Sequence, residues 1–241
     1  MSKKKNTLLR NTSILMAATI ISRVIGLLYR SPLGETIGNE GLGYYSTASN
    51  LYTILLLISS YSIPMAVSKI VSERLALKEY RNAHRVFRGA LLYAVIVGGI
   101  AALVAFFGGK FLLPYNQQNA ILALRVLAPT IFFSAILGVL RGYFQAHSTM
   151  MPTSISQIIE QIFNAAFSIG AAWFFIQQFA TNDTERAKFG AAGGTLGTGA
   201  GVLAGLCFML LVYGVNRKSI LRKAAKDIRH REESYREIFQ V

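Results

Sequence analysis

Cysteine is almost absent from this chain: Cys207 stands alone inside an apolar run, which excludes an internal disulfide and any Cys-rich metal site. Its expected role there is packing. Histidine is nearly as scarce, and His84, His147 and His230 have no ligand spacing between them, so neither a metal nor a cofactor is expected. Acidic residues number only 11 against 25 Lys and Arg, and charged residues of both signs make up just 15% of the 241 positions. With 53% hydrophobic residues, that is too little charge for a soluble globular domain. A nucleic-acid binder would spread its basic residues over a polar surface among aromatics, whereas here they lie in short stretches between long apolar runs.

Those runs are what the sequence does have. Crossing the hydrocarbon core takes about 20 largely apolar residues. Six segments qualify, at roughly 11–31, 42–66, 89–107, 119–140, 153–176 and 190–214. The fold class expected is therefore an all-α integral membrane protein, a six-helix transmembrane bundle over residues 1–215 with a basic tail at 216–241. The first segment has the basic start and apolar body of a signal peptide, but the body is long, Arg23 interrupts it, and Pro32 and Gly34 stand where a small-residue cleavage site would be. A retained helix ending at Pro32 is expected instead.

Charge sets the orientation. With Lys3, Lys4 and Lys5 inside, the inner segments also hold Arg10, then Lys69, Arg74, Lys78, Arg81, Arg85 and Arg88, then Arg141, then eight basic residues after Tyr213. The outer loops hold only Lys110, Arg186 and Lys188, so both termini are expected in the cytoplasm. Ile220, Leu221, Ala224 and Ile228 fall at helical spacing, so the stretch Arg217 to Val241 reads as an amphipathic helix on the inner surface.

No enzymatic arrangement is present: the loops are too short for a catalytic domain, and Glu160 and Asp227 differ too much in depth to form a carboxylate pair. The run Thr198-Gly199-Ala200-Gly201 is not a phosphate loop, because no strand precedes it and no Lys-Ser/Thr follows. It belongs instead to a glycine-rich last span, in which Gly193, Gly197, Gly201 and Gly205 stand four apart. That spacing predicts either close helix packing or a bendable helix.

Charges inside the spans are the informative ones, since each costs about 2.5–3.5 kcal/mol on insertion scales and is rarely kept without a partner or a wet cavity. Arg23 falls about 3 Å from the middle of the first span and Arg30 near its outer end. Arg125 falls about 7 Å to the outer side of centre in the fourth span, and Glu160 about 7 Å to the inner side in the fifth. Thr19, Arg23, Gly26 and Arg30 follow a 4-3-4 rhythm that puts them on one helix face. Polar stripes run along the second span (Ser46, Asn50, Thr53, Ser60) and the fifth (Gln157, Gln161, Asn164, Ser168). Two readings follow: interhelical glue with Arg23 paired to Glu160, or a hydrated cationic cavity that holds an anionic group. On the second reading the binding residues are Arg23, Arg30, Arg125, Asn50, Gln157 and Glu160.

The segment Ser22-Arg23-Val24-Ile25-Gly26-Leu27-Leu28-Tyr29-Arg30 resembles the first-helix motif of the lipid II flippases and the stage V sporulation protein B group. Both belong to the multidrug/oligosaccharidyl-lipid/polysaccharide flippase superfamily. Similar matches are Ile63-Pro64-Met65-Ala66-Val67-Ser68-Lys69, Leu124-Arg125-Val126-Leu127-Ala128-Pro129, and Arg141-Gly142-Tyr143-Phe144-Gln145-Ala146 leading to Pro152-Thr153-Ser154-Ile155-Ser156-Gln157. The resemblance implies one lobe of a flippase in a bacterial plasma membrane, moving a lipid-linked, diphosphate-bearing cell-wall saccharide by alternating access, with Arg23 and Arg30 on the diphosphate. It also implies a second six-helix lobe, from a further half or a homodimer. The second span departs from the Gram-negative pattern, with Leu57 about where a cavity arginine would stand. The alternatives are a related polysaccharide or cation-coupled drug exporter, and a non-transporting membrane scaffold for cell-wall or sporulation enzymes.

Overall fold

In a computed structural model, which describes residues 2–224, the chain is a bundle of long helices, with no strand among the described residues. The order is α1 (Ser2–Leu28), α2 (Arg30–Ser59), α3 (Ile63–Ala76), α4 (Tyr80–Phe107), a short α5 (Gly109–Leu112), a 3-10 turn (Tyr115–Ala120), α6 (Ile121–Ala146), α7 (Met151–Phe179) and α8 (Asp183–Ala224). Five segments are long and apolar enough to cross a membrane, beginning with Arg30–Ala76, which joins α2 and α3. Thr12–Leu28 of α1 is a shorter apolar stretch, so the expected count of six is roughly matched. An all-helical membrane bundle is thus the observed architecture. The amphipathic-helix expectation for the tail lies, past Ala224, outside the described residues.

Prolines place the breaks. Pro32 has no N–H for the Leu28 carbonyl and its ring crowds that group, so α1 stops at Leu28 rather than running on to Pro32. Pro64 acts likewise on Ser60, separating α2 from α3 inside the segment read from the sequence as one span over 42–66. Within α2, Gly38 has φ 75°, a left-handed conformation that a side chain resists, and the chain kinks there. Several boundaries lie outside the expected spans: α2 begins at Arg30, α4 at Tyr80 and α8 at Asp183, while α8 continues to Ala224 and α6 to Ala146. Arg141, expected in an inner loop, is therefore inside a helix. No Pro or Gly-rich signal ends α6 before His147, so the helix simply carries on.

Helix α6 is central, packing on α2, α3, α4 and α8. One apolar core joins α3, α4, α6 and α8, with Phe87 and Tyr143 rings 4.3 Å apart at its centre. A second gathers Leu33, Ile37, Leu124, Leu127 and Ile131 from α2 and α6. The glycines of α8 serve close packing. A Cβ on Gly193, Gly197 or Gly201 would overlap Ala171, Ser168 or the Glu160 carbonyl of α7, while Gly190 and Gly194 face Ile37 and Leu33 of α2. Cys207 lies off these faces and is exposed, not packed in the core as expected. Helix α1 leans chiefly on α7, and the space between them is the candidate site.

Candidate functional site

A cavity of about 560 Å3 opens along the α1–α7 seam. From the first helix and its junction come Thr19, Ser22, Arg23, Gly26, Tyr29 and Arg30; from α7 come Gln157, Glu160, Gln161 and Asn164; and α6 contributes Arg141. The 4-3-4 rhythm puts Thr19, Arg23 and Gly26 on one side of α1, and Arg30, first residue of α2, follows on that side. A Cβ on Gly26 would stand in ordinary contact with the Gln161 side-chain oxygen, 3.5 Å away, so the seam has room for one there. The Thr19 hydroxyl bonds the Leu15 carbonyl at 2.9 Å and lies 3.4 Å from Gln157 Oε1.

The carboxylate in this wall is already engaged. Arg141 Nη2 donates to Glu160 Oε2 at 2.7 Å, and Arg141 Nε donates to Ser156 Oγ at 3.0 Å. The pairing of Glu160 with Arg23, on which the interhelical-glue reading rested, does not occur. Among the described residues, neither Arg23 nor Arg30 has an ion-pair partner, and both are exposed. Three guanidinium groups thus line the cavity against one carboxylate, and the excess positive charge belongs to Arg23 and Arg30.

One end of the cavity is fastened by neutral polar groups. The Tyr29 and Tyr45 hydroxyls are 2.9 Å apart, and Asn164 Nδ2 donates to Tyr29 at 3.4 Å. Ser168 Oγ lies 3.0 Å from Asn164 Oδ1 and 2.8 Å from the Gly194 carbonyl, tying α7 to α8. Each of these groups is paired, as the great majority of buried polar atoms are. The polar stripe of α7 therefore divides its labour: Gln157 and Gln161 face the cavity, while Asn164 and Ser168 anchor neighbouring helices.

Of the six residues singled out from the sequence, four line the cavity: Arg23, Arg30, Gln157 and Glu160. Arg125 does not. It is exposed on α6, with Nε 3.4 Å from the Phe106 carbonyl and its guanidinium 5.8 Å from the Phe106 ring centre, a cation–π contact. Asn50 is exposed on α2 and is also absent from the wall. The residue that sequence reasoning missed is Arg141. Its signal was the uninterrupted helical run to Ala146, which keeps it within reach of α7.

A family model for polysaccharide biosynthesis proteins matches residues 8–228. The chain belongs to that family. Among polysaccharide biosynthesis proteins, it is 26% identical over 244 residues to stage V sporulation protein B of Bacillus subtilis (strain 168), a match covering 98% of this chain and 45% of that protein. It is 28% identical over 182 residues to the lipid II flippase MurJ of the same organism, covering 71% of this chain and 34% of that protein. An uncharacterized membrane protein, YabM, also of Bacillus subtilis, is 23% identical over 212 residues, which is 88% of this chain and 37% of that protein. The chain spans less than half the length of each of these relatives. Membership in this polysaccharide biosynthesis family, together with the long apolar helices, makes it a multi-pass membrane protein.

Proposed function

We propose that this chain is a six-helix lobe of a flippase that carries a lipid-linked, diphosphate-bearing saccharide across a bacterial plasma membrane. The supporting observation is the pair Arg23 and Arg30, open to one cavity without a carboxylate partner. A charge held in a membrane helix without a partner needs a ligand or water to face. Planar guanidinium groups match phosphate oxygens in bidentate fashion, so a diphosphate is the group they suit best. The lining amides of Gln157 and Gln161 add neutral donors and acceptors around it. A cationic drug would require acidic lining, whereas the wall's one carboxylate is held by Arg141.

On this reading residues 1–215 form the lobe, residues 216–241 are a basic surface helix or linker, and the basic segments face the cytoplasm. Transport is by alternating access, in which two bodies rock about a site between them. The second body is another six-helix lobe, from the same polypeptide or a second copy. The chain acts as a transporter rather than as an enzyme. The test is to replace Arg23 by Ala and then by Lys and to measure lipid translocation in proteoliposomes that also hold the second lobe, or survival of dependent cells. Loss with Ala and partial recovery with Lys supports the grip on an anion; full tolerance of both, with the protein folded, sinks it and favours a scaffold.

A further inference from the structure

A second cavity, of about 270 Å3, lies behind the Arg141–Glu160 ion pair. It is enclosed by α2, α3, α6 and α7, and it shares Arg141, Gln157 and Glu160 with the cavity that holds Arg23 and Arg30. Its own side chains differ in kind. Tyr52, Tyr61, Ser60, Ser134, Gln145 and Thr153 supply two aromatic rings, three aliphatic hydroxyls and an amide, all neutral. The Tyr52 hydroxyl lies 3.1 Å from Ser134 Oγ. Thr153 is 0% exposed, and its hydroxyl has no hydrogen-bond partner. Its carbonyl accepts from Ser156 Oγ at 2.7 Å, and Ser156 accepts from Arg141 Nε, so the same arginine that faces the first cavity braces the wall of the second.

We infer that this second cavity is a saccharide subsite, taking a neutral sugar ring while the diphosphate lies beside Arg23 and Arg30; the inference rests on the diphosphate reading above. Neutral hydroxyls and amides exchange hydrogen bonds with sugar hydroxyls, and tyrosine rings offer apolar faces to the C–H side of a pyranose. A fully buried hydroxyl without a protein partner wants water or a ligand hydroxyl as its partner, and a sugar hydroxyl is of that kind. The volume is close to the lower end of the ~300–1,000 Å3 typical of small-ligand pockets, so it suits a single ring rather than an extended chain. The shared Arg141–Glu160 wall places a sugar next to a phosphate, the order in which a sugar diphosphate lipid presents them.

The test compares two probes, a polyprenyl diphosphate with and without one N-acetylhexosamine, binding to the purified chain in lipid nanodiscs. The sugar-bearing probe is expected to bind more tightly, and Thr153→Val to reduce that advantage about fivefold, the size of one neutral hydrogen bond. Tyr52→Phe should reduce it too, and it serves if Thr153→Val does not fold. No advantage for the sugar-bearing probe, or an advantage that the folded variants leave intact, overturns the subsite. Arg23→Ala is read separately, on the bare diphosphate: weakened binding supports the diphosphate grip whatever the sugar advantage does, and unchanged binding removes that grip and the subsite's placement with it.

Discussion

Glu160 of α7 bonds Arg141 of α6 at 2.7 Å, and in doing so it leaves Arg23 of α1 without a carboxylate. One acid flanked by several guanidinium groups can satisfy one of them closely, and Arg141 holds the geometry because Ser156 fixes its Nε. The pair is partly accessible, with side chains 16% and 21% exposed, so breaking it should cost less than the 3–5 kcal/mol of a fully buried pair. Glu160→Gln and Arg141→Met are each expected to lower stability by about 1–3 kcal/mol. The double variant should lose less than the sum of the two, which thermal denaturation in detergent would read as a double-mutant cycle.

The α7–α8 seam makes the sharpest stability prediction. Gly197 and Gly201 have no room for a Cβ against α7, and Gly197→Ala or Gly201→Ala should destabilise by about 1–3 kcal/mol. Gly170 on α7 has nothing within 4 Å of a Cβ. Gly170→Ala should be neutral or stabilising by up to about 1 kcal/mol, since alanine favours helix. If all three variants melted alike, close packing would not be the purpose of the stripe.

The hydroxyl pair Tyr29–Tyr45 joins the α1–α2 junction to the middle of α2, with Asn164 of α7 bonded to it. Tyr45→Phe removes one hydroxyl and should cost about 1 kcal/mol. Because Tyr29 adjoins Arg30, substrate binding should weaken as well, and a melt paired with a binding measurement would separate the two effects.

Three arginines within membrane helices differ in surroundings, and their substitution should rank them. Arg23→Ala and Arg30→Ala each remove a charge-assisted contact to an anion worth about 1.5–3 kcal/mol, roughly ten- to a hundredfold in affinity. Arg125→Ala removes a contact with Phe106 away from the cavity and should reduce binding less than either. An Arg125 effect equal to that of Arg23 would mean that the anion is gripped elsewhere.

Alternating access needs a second rocking body. The 241-residue chain, prepared as a strict monomer in liposomes, is expected to bind the anionic lipid without flipping it, and addition of a second lobe should restore movement. Robust flipping by the monomer would refute this two-lobe requirement.

Much of this was legible from residue order alone. The apolar runs give the helices, because a bilayer lets only internally bonded backbone cross it. The 4-3-4 spacing gives the shared face of Thr19, Arg23 and Gly26, because helix geometry is local, and Arg30 keeps to that side across the break at Tyr29. Gly197 and Gly201, read beforehand as either packing or bending positions, proved to be packing positions once the neighbouring helix was known.

What order could not decide was partnership between helices. Periodicity says which way Arg23, Arg125 and Glu160 point on their own helices, but not what stands opposite, since that depends on how separate helices rotate and lean. Only the packed bundle gave Glu160 to Arg141, turned Arg125 against Phe106, and set two cavities on either side of one ion pair. Local chemistry fixed the elements and their charged faces, and long-range packing chose which of those charges remained open to a ligand.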